Sequence, residues 1–312
     1  LPVASVVVQV FLPDEQAVWP HVVETVLWDY MRNSLLLALG TGLGAALLGI
    51  GAAWIVAMYR FPGRRMLEWA LLLPLAVPTY VIAYVYTDLL QFAGPVQSWL
   101  RELFGWGRDD YWFPEVRSLP GAIVVFSLVF YPYVYVLARA AFLERSGGLM
   151  EAARSLGLSQ RAAFFRVALP LSRPAVAGGV ALVIMETLAE FGAVSYFDVP
   201  TFTTGIYRAW YAFGSPVAAA QLSASLLAVV VLALMLEKAS RGRARFHDSG
   251  GRPFVRPRLG GGRMLLAWGA CLIPLGGGFL LPGALLLNMA LGEGDTQFGA
   301  KYLPLAGTRL LL

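Results

Sequence analysis

The amino-acid sequence predicts an all-α protein, a bundle of helices that crosses a membrane several times. Apolar residues make up 58% of the 312 residues and charged residues only 14%, with a mean hydropathy of +0.65. A soluble domain carries about 25% charged residues. Six apolar runs are each long enough to cross a hydrocarbon core of about 30 Å, and the loops between them alternate in charge. A soluble globular domain is therefore excluded.

The predicted spans cover 33–59, 66–90, 118–142, 174–197, 216–236 and 264–288. Gly40 and Gly44 form a GxxxG pair, which we interpret as a site of close helix packing because small residues let backbones approach in lipid. Prolines inside the spans are expected to bend their helices, with neighbouring helices satisfying the freed carbonyl groups. These prolines are Pro74, Pro78, Pro132 and Pro274.

The distribution of basic residues predicts the orientation in the membrane. Of the 24 lysines and arginines, 17 lie between residues 60 and 65, 139 and 173, or 238 and 263, all in loops on one side. By the positive-inside rule these loops are cytoplasmic. The net charge of +5 is thus a topology signal, and nucleic acid is not an expected partner.

The cytoplasmic stretch from Glu151 to Pro170 is predicted to form two helices joined by a glycine elbow. Residues 151–156 are good helix formers, and Gly157 can take the left-handed conformation that ends a helix. Ser159 is a candidate N-cap for a second short helix, which Pro170 is expected to stop. A rigid elbow of this kind is suited to docking into another protein.

The spacing in this stretch resembles the coupling loop of importer-type ABC permeases: EAA, three residues, glycine, nine residues, an aliphatic residue, any residue, then LP. The alternative is a generic cytoplasmic hairpin. The resemblance implies a permease fold with a coupling loop at about 143–173, in the inner membrane of a bacterium. It also implies three kinds of protein partner besides membrane lipid: a cytoplasmic ABC ATPase dimer that binds ATP and magnesium, a periplasmic binding protein, and a second permease half. The matching residues are Glu151, Ala152, Ala153, Gly157, Val167, Leu169 and Pro170.

Catalytic chemistry is not indicated by any motif in the sequence. Lys238 follows glutamate and Lys301 follows alanine, so neither lies in the Gly-Lys-Ser/Thr context of a phosphate-binding loop. Cys271 is the single cysteine, and His21 and His247 are isolated, which gives no support to a zinc-type metal site. We expect no enzyme activity, no catalytic residue and no cofactor in this chain; ATP hydrolysis is expected in a separate subunit.

Two acidic residues in the fourth predicted span, Glu186 and Glu190, are candidates for the translocation pathway. Four residues apart on a helix, they would share one face, and carboxylates in lipid are costly. They are expected to face the bundle interior, water or a cation. The alternative is that Glu186 is a neutral or hydrogen-bonded packing contact and that Glu190 lies near the outer interface.

A second resemblance begins at these acids. Residues 186–192, 194–197 and 201–210 are similar to the ferric-iron branch of the same permeases. The resemblance implies import of ferric iron, for which hard carboxylate oxygens are suitable ligands. Another small solute (a polyamine, thiamine or a phosphonate) is an alternative, as are an ion-coupled secondary transporter using the two acids as a relay and a structural scaffold.

Members of that branch carry two homologous halves. Residues 305–312 resemble residues 30–37, so we expect 13–304 to be one permease domain and 305–312 the start of a second, truncated half. Residues 1–12 are expected to be the end of a truncated membrane helix. In the outer loop, the amphipathic stretch 96–104 is expected to lie along the membrane interface, with a docking surface for the binding protein as the alternative.

Overall fold

The computed structural model of the chain describes residues 8–12, 18–240 and 256–293, without the side chains of 145–152, 154, 236–240, 292 and 293. Helices dominate these residues, and their only β-type pairing is an isolated bridge between Arg60 and Arg258. The predicted all-α fold is therefore confirmed. Of the segment expected at 1–12, residues 8–12 are described, and 8–10 are helical. The segment expected at 305–312 lies outside the described residues.

The helices follow one another along the described parts of the chain. Four stretches have other helical geometry: a 3-10 turn at Leu73–Ala76 and π turns at Phe164–Ala168, Arg208–Ala212 and Gly276–Leu280. The α-helices are α1 (Val18–Thr25), α2 (Leu27–Met58), α3 (Arg64–Ala70), α4 (Thr79–Leu90), α5 (Pro95–Phe104), α6 (Leu119–Ser155), α7 (Gln160–Ala163), α8 (Leu169–Ala189), α9 (Gly192–Tyr196), α10 (Phe202–Tyr207), α11 (Pro216–Ser240), α12 (Gly262–Leu275) and α13 (Leu281–Glu293).

Five helical stretches in the described part are long and apolar enough to cross a membrane unbroken, and each coincides with a predicted span. Leu27–Met58 and Gln160–Ala189 begin earlier than the spans predicted at 33–59 and 174–197, and the second of these two also ends earlier, at Ala189 instead of 197. The five stretches are Leu27–Met58, Leu119–Glu144, Gln160–Ala189, Pro216–Met235 and Gly262–Leu291.

The second predicted span is not one straight helix. Arg64–Ala76 and Thr79–Phe104 meet at an angle of 88°, and together they count as a sixth span only if a bent pair is accepted as one. Val77, at the break, is extended (φ −106°, ψ 127°). Pro78 follows it, and a residue before proline is driven out of the helical conformation. Pro74 and Pro78 were expected to bend this span, and the helix instead breaks between Ala76 and Thr79.

Helices α2, α6 and α8 form the centre of the bundle. A Cβ atom on Gly49 of α2 would lie 2.8 Å from the Tyr131 carbonyl oxygen, and one on Gly179 of α8 would lie 2.8 Å from the Val134 Cα atom, both on α6. Only glycine permits such close backbone approach. Gly40 also packs against α6, where a Cβ would lie 2.7 Å from Ile123 Cδ1, so the packing interpretation of the glycine pair is supported.

Helix α5 contains the amphipathic stretch and turns its polar side toward the following loop. Gln97 donates to the Leu90 carbonyl (2.8 Å) and accepts from the Tyr111 hydroxyl (2.7 Å). Trp99, Leu103 and Phe104 remain exposed on the other side. This arrangement is typical of a helix lying along a membrane interface. Docking of a binding protein here stays an alternative prediction.

Candidate functional site

The elbow at Gly157 has the predicted geometry. Helix α6 runs without interruption from its membrane span into Ser155, so the EAA segment forms its last turns. Gly157 then takes φ +80°, and the Leu158 N–H donates to the Ala153 carbonyl at 3.0 Å. This six-residue closure is a Schellman motif, the usual way in which a helix ends on a glycine. No atom lies within 4 Å of the position a Cβ would take at Gly157, so the backbone conformation alone favours glycine.

Ser159 caps the helix that follows, as predicted. Its hydroxyl oxygen accepts a hydrogen bond from the Ala162 N–H at 3.3 Å. The prediction that Pro170 stops this helix is wrong: the helical stretch continues from Gln160 to Ala189. Pro170 follows directly on the π turn Phe164–Ala168, in which the Leu169 N–H bonds to the Phe164 carbonyl, and this wider turn accommodates the proline within the continuous stretch.

The elbow is attached to the bundle by apolar contacts. The Phe164 ring lies 4.6 Å from the indole of Trp54 on α2, measured between centroids, and Trp54 lies 5.4 Å from Phe142 on α6. Ala153 and Ala163 are buried on the two arms of the elbow. The elbow is therefore packed against two spanning helices, α2 and α6, through side-chain contacts.

The other side of the elbow faces away from the bundle. Leu156 is 82% exposed and Phe165 is 65% exposed, beside exposed Ser159 and Arg161. Apolar side chains exposed at the tip of a charged loop indicate a surface that another protein covers. Among the other predicted coupling residues, Val167, Leu169 and Pro170 are half-buried at the start of the fourth span; Glu151 and Ala152 lie on α6, but their side chains are outside the described set.

An ionic cluster beneath the elbow was not foreseen from the sequence. Glu68 on α3 pairs with Arg139 on α6 and with Arg64 at 3.3 Å. The Tyr135 hydroxyl donates to the Glu68 carbonyl at 3.0 Å. The cluster therefore fastens the bent second span to the helix that leads into the elbow. The only sequence signal was the i,i+4 spacing of Arg64 and Glu68.

Arg256 brings a further positive charge to the same cluster. Its Nε–H donates to the Ala57 carbonyl at the end of α2, at 2.7 Å. Partial burial, followed by the nearby guanidinium groups of Arg64 and Arg60, lowers the pKa of Arg256. Arginines from three predicted cytoplasmic loops thus meet at one end of the bundle, as the positive-inside interpretation requires.

The two acids of the candidate pathway do not share a helix face, which corrects the sequence-based expectation. Helix α8 ends at Ala189, and Glu190 lies beyond it in an extended conformation (φ −72°, ψ 130°). Glu186 is exposed on α8, within electrostatic range of Tyr133 on α6. The spacing rule failed because it assumed that the helix continued through residue 190.

Glu190 stabilises the break in the span. Its Oε1 atom accepts a hydrogen bond from the Ala193 N–H at 2.9 Å, at the start of α9, and its carbonyl accepts from the Thr203 hydroxyl at 2.8 Å. A carboxylate is favourable at a helix N-terminus. One carboxylate oxygen of Glu190 thus has a structural role. Because the residue is only half-buried, its side chain is still partly exposed.

Tyrosines surround this break, which sequence reasoning did not identify. Helix α9 packs against α4 of the bent second span, where the Tyr84 ring lies 6.0 Å from that of Tyr196. A Cβ atom on Gly192 would lie 3.1 Å from Tyr80 Cβ and 3.5 Å from Glu190 Oε1, so Tyr80 is a close neighbour of the acid. All three tyrosines are exposed. Helix α9, which belongs to the second sequence resemblance, therefore packs against α4 beside exposed tyrosines.

No group of three or more histidine, cysteine, aspartate or glutamate side chains that could hold a metal ion occurs in the described ranges. Cys271, the single cysteine, is buried in α12. The candidate functional features are therefore the elbow, the ionic cluster beneath it and the surface around Glu190.

The sequence matches a known protein family. Residues 45–240 match the family of binding-protein-dependent transport system inner membrane components. The chain belongs to this family. The match runs from the middle of α2 to the end of α11, so the elbow, Glu68 with its two arginine partners and the break at Glu190 all lie inside it. A multi-pass inner membrane protein of the ABC permease type is thereby established.

The relatives that the chain resembles carry the names of different substrates. The chain is 29% identical over 244 residues to the Fe(3+)-transport system permease protein FbpB 2 of Haemophilus influenzae. It is 29% identical over 196 residues to the sulfate transport system permease protein CysT of Escherichia coli, and 30% identical over 206 residues to the molybdenum transport system permease protein ModB of that bacterium.

The coverage differs between these relatives. The match to the iron permease takes in 77% of this chain but only 44% of the relative. The match to the molybdenum permease takes in 63% of this chain and 87% of the relative. The chain thus spans less than half the length of the iron permease that it resembles.

Solved structures agree with the permease fold. A crystal structure of a bacterial alginate ABC transporter in complex with a periplasmic protein bound to alginate pentasaccharide contains a similar chain, with a TM-score of 0.57 and 18% identity. The similarity covers 70% of this chain and 79% of that one. At this identity the likeness concerns the fold alone.

Proposed function

We propose that this chain is one permease half of an ATP-driven importer that moves ferric iron, delivered by a periplasmic binding protein, into the cytoplasm. The observation that carries the proposal is the elbow: a complete EAA-to-LP spacing with Gly157 at φ +80°, at the basic end of a bundle of this family. The resemblance of residues 186–210 to ferric-iron permeases supports the choice of substrate.

The elbow is proposed to receive a subunit of a cytoplasmic ATPase dimer, which binds ATP and magnesium. Leu156 and Phe165 supply exposed apolar contacts, and Glu151 and Ala152 belong to the same segment. Closure of the dimer on ATP would move the elbow, and Phe164 would pass that motion to α2 through Trp54. The bundle would then shift between inward-open and outward-open states, as a population shift driven by binding energy in the partner.

Two closing ATPase subunits require two elbows, one for each half of a pore. The second half is proposed to be either a fused domain or a separate chain. In a complete pore, the exposed Glu186 would face the other half or the pathway, because an ionised acid in lipid costs at least about 2.5 kcal/mol on insertion scales.

The surface around Glu190 supports a cationic substrate. Carboxylate oxygens are hard donors suited to Fe(III), and Glu190 presents a half-buried carboxylate at the break in the span. Sulfate and molybdate are anions, which carboxylates at Glu186 and Glu190 would repel. This charge is the physical reason to prefer iron over the anions named for other relatives.

Co-purification from native membranes tests the proposal. We expect an ABC ATPase and a periplasmic binding protein to be recovered with the chain, and the reconstituted complex to take up radioactive ferric iron only with ATP. Uptake of sulfate or molybdate instead would overturn the substrate. Uptake driven by a proton or sodium gradient, without any ATPase, would replace the whole proposal by the secondary transporter.

A further inference from the structure

A strap of residues 256–260 lies across the cytoplasmic end of α2. The Arg60 N–H donates to the Pro257 carbonyl at 3.0 Å, and the Leu259 N–H donates to the Arg60 carbonyl at 2.9 Å. Arg256 is turned toward the ionic cluster, whereas Arg258 is exposed. The strap leads directly into α12, which starts the last described span.

A cavity of about 730 Å³ opens between the strap and the first turns of α12. Its volume is within the range of about 300–1,000 Å³ that is usual for sites of small ligands. Two of the residues around it are arginines, two are leucines and two are glycines, and none of them is acidic. They are Arg258, Leu259, Gly260, Gly262, Arg263 and Leu266.

The two arginines have no carboxylate partner among the described residues. The ion pairs found in this part of the described structure belong to Glu68, which is shared by Arg64 and Arg139. Arg258 and Arg263 are both exposed and line the same cavity. Two arginines that line one space and have no carboxylate partner in the described part of the chain are suited to a phosphate, which they can bind through several charge-assisted hydrogen bonds.

Leu266 distinguishes a lipid from a free anion. It lies three residues after Arg263 and therefore on the same face of α12, one turn further into the span. It is 75% exposed and lines the same cavity. The cavity is thus cationic at the membrane surface and apolar just below it, which matches an amphiphile with an anionic head and a hydrocarbon tail.

We propose that this cavity binds the phosphate headgroup of an anionic phospholipid of the cytoplasmic leaflet, with Arg258 and Arg263 on the phosphate and Leu266 along an acyl chain. Basic pockets at the cytoplasmic ends of membrane helices are favoured sites for such headgroups. The bound lipid would brace the strap against Arg60 and α2. The proposal rests on the membrane placement of α12 and is independent of the transported substrate.

The test uses the complete transporter purified in a neutral detergent and titrated with phosphatidylglycerol, with bound lipid counted by native mass spectrometry. We expect Arg258→Gln and Arg263→Gln each to weaken binding about fivefold. Leu266→Asn should also weaken it. Arg173→Gln is the matched control, because it removes an exposed arginine from the same predicted side, outside the cavity.

Three results would overturn the proposal. The first is unchanged lipid binding in the double variant Arg258→Gln/Arg263→Gln. The second is an equal loss in Arg173→Gln, which would show only a general attraction to basic surface. The third is full competition by millimolar inorganic phosphate together with no effect of Leu266→Asn, which would assign the cavity to a free anion. Transport assays of the same variants are separate, so a failure here leaves the importer proposal intact.

Discussion

The ring of Phe164 lies 4.6 Å from the indole of Trp54, centroid to centroid, at an interplanar angle of 53°. Phe164 opens the π turn after the elbow, and Trp54 belongs to the first long span. This contact is the shortest described ring pairing between the elbow and another helix. It makes the elbow part of the bundle instead of a free loop.

Phe164→Leu should weaken the link between the elbow and α2. Leucine keeps the site apolar but loses the ring contact, worth about 1 kcal/mol beyond buried area. We expect ATP hydrolysis to continue while iron uptake per ATP falls several-fold. Uptake and phosphate release are measured together in proteoliposomes. Phe104→Leu removes a stacked ring of the outer loop, 4.5 Å from Trp106, and should leave the ratio unchanged.

Gly157→Ala should strain the elbow. Its φ of +80° costs a residue with a Cβ about 1 kcal/mol, although no atom lies within 4 Å of that Cβ. We expect normal membrane insertion and reduced stimulation of the ATPase. Gly105→Ala is a matched control, since Gly105 has φ +67° and equally open surroundings at the end of α5. Equal effects of the two substitutions would mean that strain alone, and not coupling, explains the loss.

Glu68→Gln should destabilise the cytoplasmic end of the bundle. The carboxylate serves both Arg64 and Arg139, and the Arg139 Nε–H is already buried without a partner. Loss of a charged acceptor that is only 17% exposed should cost about 1–3 kcal/mol. The midpoint of thermal unfolding in detergent should fall accordingly. Glu144→Gln, at the exposed end of the α6 span that carries Arg139, should change this midpoint little. An equal fall in both variants would contradict a special role of Glu68.

Two substitutions at Glu190 distinguish a structural role of this residue from a role in transport. Glu190→Gln keeps an oxygen acceptor for the Ala193 N–H but removes the charge, whereas Glu190→Ala removes both. If the carboxylate attracts a cation, both variants lose iron uptake, and only the alanine variant also loses stability, by about 1 kcal/mol as for a lost helix cap. Wild-type uptake in Glu190→Gln would show that this residue serves only as a cap.

The elbow could be predicted from sequence because its determinants are local. Gly157 ends α6 and Ser159 caps α7 through bonds to residues three to five positions away. The long spans could also be predicted, since a membrane helix satisfies the hydrogen-bonding groups of its own backbone within one segment. The prediction that the helix ends at Pro170 was wrong because the π turn before it accommodates the proline, and such a turn has no clear sequence signal.

The remaining features depend on contacts between distant segments. Glu68 and Arg139 are 71 residues apart, and Tyr84 meets Tyr196 only because α9 folds back onto the bent second span. Neither pairing has a periodic signature in the sequence. The break at Glu190 was missed for a similar reason: the residues around it are as apolar as a helix interior, and its carboxylate and Thr203 stabilise the extended turn.

Site-directed cross-linking at Leu156 tests most directly whether the elbow is the ATPase docking site. Leu156 is 82% exposed at the elbow, and Trp112, the control, is 85% exposed in the outer loop. Cys271 is buried, so a cysteine introduced at either position is the reactive thiol. In native membranes, we expect Leu156→Cys to cross-link to an ABC ATPase subunit, with a yield that changes on addition of ATP, and Trp112→Cys to give no such product. Absence of an ATPase adduct at Leu156, or an equal adduct at Trp112, would contradict the coupling role of the elbow.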